Sequence, residues 1–121
     1  MNQEEHVSTA RELMRRADQE WHHGGNDMIA AELLWGAFAH CLITVALNEG
    51  LPHDSHGAFR RVAQRLDNIH GGNTWASSFG AAEQLHFHYY HGDLPAGELD
   101  THRRQAQTGA INLLQALQQG G

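Results

Sequence analysis

The chain predicts an all-α fold: an up-and-down bundle of about five helices around one nearly all-apolar helix. Three observations carry that prediction. Apolar residues recur at helical spacing in five segments, and strand-like alternation is weak. Short Gly, Asn, Asp and Pro clusters separate the segments. With 121 residues, the chain fits one domain, residues 1–121, with no visible repeat, linker or low-complexity stretch.

Helix 1 is expected from about Gln3 to His22. Asn2 caps it and Glu5 stands three residues on, as in a capping box. Its stripe is Val7, Ala10, Met14, Ala17 and Trp21. "GGND" at 24–27 ends it. Helix 2 runs from about Asp27 to Asn48 and stops at Gly50 and Pro52. Helix 3 runs from about His56 to His70, with Phe59, Val62, Ala63, Leu66 and Ile69 on its apolar side, and Gly71 and Gly72 close it. Helix 4 runs from about Thr74 to His91. "GDLPAG" turns the chain, with Asp93 a candidate cap and Pro95 in the first turn. Helix 5 runs from about Ala96 to Leu117, with Leu99, Ala106, Ala110, Leu113 and Leu117 on one stripe. The tail "QQGG" is expected to fray.

Helix 2 differs from the others. Ala30, Leu34, Ala37, Phe38, Cys41, Leu42 and Val45 form one apolar face. Ile29, Leu33, Gly36, Ala39, Ile43 and Leu47 form a second. A helix apolar all round is buried all round, so helix 2 is expected at the centre, or half in the core and half in a homodimer interface through the small residues Gly36 and Ala39. The segment 28–47 has the length of a membrane span. It carries Glu32 and His40 and lacks basic flanks, so a buried central helix is expected and no membrane association.

Composition restricts function. The formal net charge is −6, from 8 Lys and Arg against 14 Asp and Glu. Such a chain is a poor general nucleic-acid binder, because phosphate contacts need clustered Lys and Arg. Local patches remain, at Arg60, Arg61 and Arg65, and at Arg103 and Arg104. The lone Cys41 and the polar, acidic "MNQEEHVSTA" fit a cytoplasmic protein without a signal peptide. Cys41 lies on the core stripe and reads as packing. Phosphate-loop, nucleophile-elbow and Cys-x-x-Cys motifs are absent.

Histidine is the compositional feature that stands out, with 11 residues. Three of them crowd "LHFHYYH" (85–91). Projected on a helix, Trp75, Phe79, Ala82, Glu83, His86 and Tyr90 share the inward side. His88 and His91 fall outside, near Ser77 and Gln84. Glu83 and His86, three apart, form the Glu-x-x-His unit of helical-bundle metal sites, or a carboxylate orienting a general-base imidazole, or a satisfied buried pair. A second such unit, Glu20 to His23, faces solvent. Glu32, alone among apolar residues, must be paired, protonated or at an interface. His40, His56, His70 and His102 read as core-edge residues, and His6, His22, His23 and His53 as surface residues.

Three ordered segments, "AAELLWGAFAHCL" (30–42), "LPHDSHGAF" (51–59) and "AAEQLHFHYYHGDL" (81–94), resemble the PaREP1-like proteins, small all-helical relatives of the HEPN superfamily. The shared pattern falls on Glu32, Trp35, Ser55, His56, Leu85, His86 and Tyr90, over about half the chain. The resemblance implies a dimeric helical bundle acting on or binding RNA or nucleotides, in a toxin–antitoxin or defence setting. HEPN ribonucleases carry Arg, a polar residue, a short spacer and His. "RLDNIH" (65–70) has that spacing but places Leu66 at the polar position, and the aligned place on helix 4 holds His86.

Three function classes follow. In the first, His86, Glu83 and Tyr90 are catalytic toward RNA or nucleotides, and Arg65, His88 and Trp35 bind substrate. In the second, Glu32, His56 and His86 ligate a divalent transition metal (Zn, Cu, Fe or Ni) inside the bundle. In the third, the chain is a non-catalytic dimeric scaffold or regulator.

Overall fold

The computed structural model describes residues 1–22 and 25–119. Among them the chain forms five α-helices and no strand: α1 (Gln3–His22), α2 (Asp27–Glu49), α3 (His56–His70), α4 (Thr74–His91) and α5 (Ala96–Gln119). The expected up-and-down bundle of five helices is the fold.

The helix starts follow local chemistry. The backbone N–H of Asn2 donates to Glu5 Oε1 at 3.0 Å, and that of Glu5 donates to Asn2 Oδ1 at 2.8 Å. This is the reciprocal box expected from the sequence. Asn26 Oδ1 accepts from Met28 and Ile29 at the head of α2, and Ser55 Oγ accepts from Ala58 at the head of α3. The head of α4 is capped from outside the helix. Asp67, buried on α3, accepts from the backbone N–H groups of Trp75 and Ala76 at 2.8 and 3.0 Å. That cap also ties α3 to α4.

α2 is the central helix. α1, α3, α4 and α5 all pack on it, and Leu34, Trp35, Phe38, Cys41 and Leu42 are buried. It is the one helix among the described residues long and apolar enough to cross a membrane. Its second face, expected to seat a partner copy, lies in part under α1 of the same chain. A Cβ on Gly36 would stand 3.1 Å from Leu13 Cδ1, and Ala39 is buried, while Ile29 and Leu47 stay exposed at the two ends. Burial pushes the Cys41 thiol up to about 12, so it is a packing residue, not a nucleophile.

α4 is a second interior helix, which the sequence reading missed. α2 and α3 cover one side of it and α5 the other. Ser78, Ala81, Leu85 and His88 are therefore buried along with Phe79 and Glu83. α5 lies across the seam between α2 and α4. A Cβ on Gly109 would meet Ser78 Cβ at 2.6 Å and Phe38 Cε2 at 3.0 Å, so the absent side chain permits this close approach.

Candidate functional site

Three helices each supply one stripe to a cluster at the α2–α3–α4 junction. α2 gives Glu32 and Trp35, one turn apart. α3 gives His56 in its first turn and Arg60 four residues on. α4 gives Glu83, His86, Phe87 and Tyr90, at i, i+3, i+4 and i+7 on adjoining parts of its surface.

The carboxylates and imidazoles pair across helices. His86 Nδ1 lies 2.8 and 3.1 Å from the two carboxylate oxygens of Glu32. His56 Nδ1 lies 2.9 Å from Glu83 Oε2. Arg60 Nη2 donates to Glu83 Oε1 at 3.0 Å. An ionised carboxylate only accepts, so each imidazole donates from Nδ1 and Nε2 is its remaining nitrogen. The sequence reading joined Glu83 to His86 within α4. The structure instead gives Glu83 to α3 and answers the lone acid Glu32 with His86.

Trp35 is the hub of the cluster and is itself buried. Its ring stacks on His56 at 4.8 Å and on His86 at 5.0 Å between centroids, and the two imidazoles are 5.2 Å apart. Phe59 and Phe79 support the indole from the core. Outside, the Phe87 ring lies nearly parallel to His56 at 6.2 Å, and Tyr90 stands edge-on to His86 at 5.2 Å. Exposure grades outward. The Glu83 side chain is 12% exposed, His86 21%, Glu32 27%, His56 40% and Arg60 51%. A buried carboxylate such as Glu83 needs its partners, and the half-exposed arginine is the cluster's reach toward solvent.

Several expectations are corrected here. Glu32, His56 and His86 do not form a metal centre. No group of three or more His, Cys, Asp or Glu among the described residues is set to hold an ion, so a Zn, Cu, Fe or Ni cofactor has no ligand set. The reason is the pairing: each imidazole Nδ1 is engaged by its own carboxylate, and the Trp35 indole stands against both rings. His88, expected on the outer face, turns inward. It is 6% exposed, and its Nδ1 accepts the Leu94 N–H at 3.1 Å, holding the α4–α5 turn. Gly92, at φ 62, makes that turn in the left-handed region.

Tyr90, expected on the buried side, is 66% exposed at the rim. Arg65 does not join the cluster, because its Nε donates to Glu49 Oε2 at the end of α2. Arg60 takes the place expected for it. The helical spacing of His56 and Arg60 was the available signal for that. His70 is exposed, and the second Glu-x-x-His unit ends at His23, outside the described residues. Its Glu20 accepts the Asn26 N–H.

His6, expected at the surface, is 9% exposed, and its Nδ1 lies 2.8 Å from His40 Nδ1. Sequence gave no signal for this pair, since 34 positions separate the two residues.

No protein-family model matches the chain, and neither the curated proteins nor the solved structures give a match. The resemblance to PaREP1-like and HEPN proteins accordingly stands on its quoted residues alone.

Proposed function

We propose that this chain acts on RNA or nucleotide phosphodiesters by general acid–base chemistry, with His86 and His56 as the proton-transferring pair. One observation carries the reading: two imidazoles 5.2 Å apart, each held at Nδ1 by a separate carboxylate. Imidazole is the side chain suited to give and take protons near neutral pH. Fixing Nδ1 aims Nε2, as the third member of a catalytic triad does.

The chemistry suits cleavage at a ribose. The neutral imidazole takes the 2′-hydroxyl proton as the 2′-oxygen bonds to phosphorus. The imidazolium protonates the 5′-oxygen as its bond to phosphorus breaks. Products are a 2′,3′-cyclic phosphate and a 5′-hydroxyl. Arg60, half-exposed beside Glu83, supplies positive charge for the phosphoryl oxygens. Phe87 and Tyr90 offer exposed ring surface (41% and 66%) next to the imidazoles, on which a base can stack. Every named residue comes from one chain, so the reading does not depend on a dimer.

The test is cleavage of a single-stranded RNA oligonucleotide in chelator. Wild type should yield cyclic-phosphate ends, and an all-2′-deoxy substrate should survive. His86→Ala and His56→Ala should each slow cleavage by about 10²–10⁴-fold. No product from wild type, or equal product from His86→Ala, sinks the proposal.

A structural reading has support of its own, since both ion pairs bridge helices and satisfy half-buried groups. Under it, His86→Gln lowers the melting temperature and changes no ligand interaction.

A further inference from the structure

Two other imidazoles hold each other, apart from the cluster just described. His6 on α1 and His40 on α2 approach Nδ1 to Nδ1 at 2.8 Å, with ring centroids 5.0 Å apart. At that contact one nitrogen donates and the other accepts. One ring therefore carries its proton on Nδ1, and the other carries it on Nε2. A second proton at the contact would set one N–H against another and break the bond.

The pair sits where α1 is fastened. α1 packs chiefly on α2 and only slightly on α5. The backbone carrying His40 is itself pinned, because Thr44 Oγ1 donates to the His40 carbonyl at 3.0 Å. We propose that His6 and His40 form a pH-sensitive latch: it fastens α1 to α2 when one proton is shared, and frees α1 when both rings are charged.

The surroundings favour the uncharged pair. Burial holds both imidazoles below their ordinary range, and a positive His6 opposes charge on His40. On the α1 side the N-terminal amine also opposes charge on His6, and Glu5 favours it. From the segment between α2 and α3, His53 opposes it. Acid therefore adds charge at a contact where burial, the amine and His53 oppose it on His6 and Glu5 offsets it. The latch does not depend on the proposed catalysis, since its residues belong to different parts of α1 and α2.

Amide hydrogen exchange read by mass spectrometry tests it. Protection of α1 peptides is compared with that of α4 peptides at about pH 7.5 and about pH 5.5, after correction for intrinsic rates. α1 should lose at least about tenfold more protection than α4. In His6→Gln the amide oxygen still accepts from a charged His40, so the extra loss should vanish. Should that variant fold poorly, ¹⁵N spectra of the wild-type imidazoles replace it. They should show one Nδ1-protonated and one Nε2-protonated ring near neutrality, both charging as α1 opens. Parallel loss in α1 and α4, an unchanged loss in His6→Gln, or rings that charge while α1 stays protected would each overturn the latch.

Discussion

Among the described residues the molecule contains two imidazole pairs, and they are built on opposite principles. At the α2–α3–α4 junction His56 and His86 each have a carboxylate, Glu83 and Glu32, and an indole stands against both rings. Between α1 and α2, the hydrogen bond at each Nδ1 of His6 and His40 is to the other imidazole. A carboxylate at Nδ1 compensates a charge on the ring and leaves Nε2 to act on something else. A second imidazole at Nδ1 compensates nothing. The first arrangement suits proton traffic with a ligand, and the second suits a contact that holds in one protonation state. Histidine content alone does not separate these roles. The partner at Nδ1 does.

The largest change that would separate the pairs is Trp35→Ala. The indole is buried and touches both cluster imidazoles, so its loss should lower stability by about 3–5 kcal/mol. Urea unfolding measures this. The His6 and His40 resonances should move little in the same variant, and a large shift there would show that the two pairs are coupled.

Acidification should act on stability through the other pair. His6 and His40 are held below the ordinary histidine value of 6.5. The unfolded chain therefore binds more protons than the folded one just below 6.5, and stability rises with pH in that window. Their contribution is complete above 6.5 and is lost as pH falls through the lowered folded values. Urea midpoints taken across that range should fall with pH in wild type and fall less in a His6→Gln/His40→Gln double variant. A slope identical in the two proteins would assign the pH dependence elsewhere.

Asp67→Ala should be smaller and confined to the cluster side. It removes the two-bond cap on α4 supplied from α3, at a cost of about 1–2 kcal/mol in the thermal or urea transition. Because that cap sets α4 against α3, the His56–His86 spacing should loosen while the His6–His40 contact keeps its ¹⁵N pattern. Arg65→Ala should do least. Its exposed ion pair with Glu49 is worth under about 1 kcal/mol, and neither pair should respond. A strong effect of Arg65→Ala on RNA cleavage would contradict the site's composition.

Much of the fold was readable from the chain. Three of the five expected helices have the observed bounds, and α2 and α5 extend one and two residues past their expected ends. The Asn2–Glu5 box, the central α2 and the buried Cys41 follow from spacing and polarity alone. The misreadings share one cause. A helical projection finds the most apolar face but not how many neighbours a helix has. α4 carries a second, weaker stripe of Ser78, Ala81, Leu85 and His88 that α5 covers, so His88 was placed outside. Pairing was harder still. Glu83 and His86 are adjacent on one helix, yet each finds its partner 27 or 54 positions away. Only the relative heights of three helices decide that. Glu32, Trp35, His56 and His86, named from the sequence in different candidate roles, meet at one junction, and the metal assigned to three of them has no ligand set among the described residues.

Gly109 gives the cluster a remote control point. It touches no cluster residue in sequence or function, yet it sets how closely α5 presses on the seam of α2 and α4, through Phe38 and Ser78. That seam carries Glu32 on one side and His86 on the other. A single added methyl at Gly109 would act as a wedge, and its displacement would be felt as a lengthened acid–imidazole contact on the far side of the bundle. An alanine at this one buried position would therefore disturb the alignment of side chains it never meets.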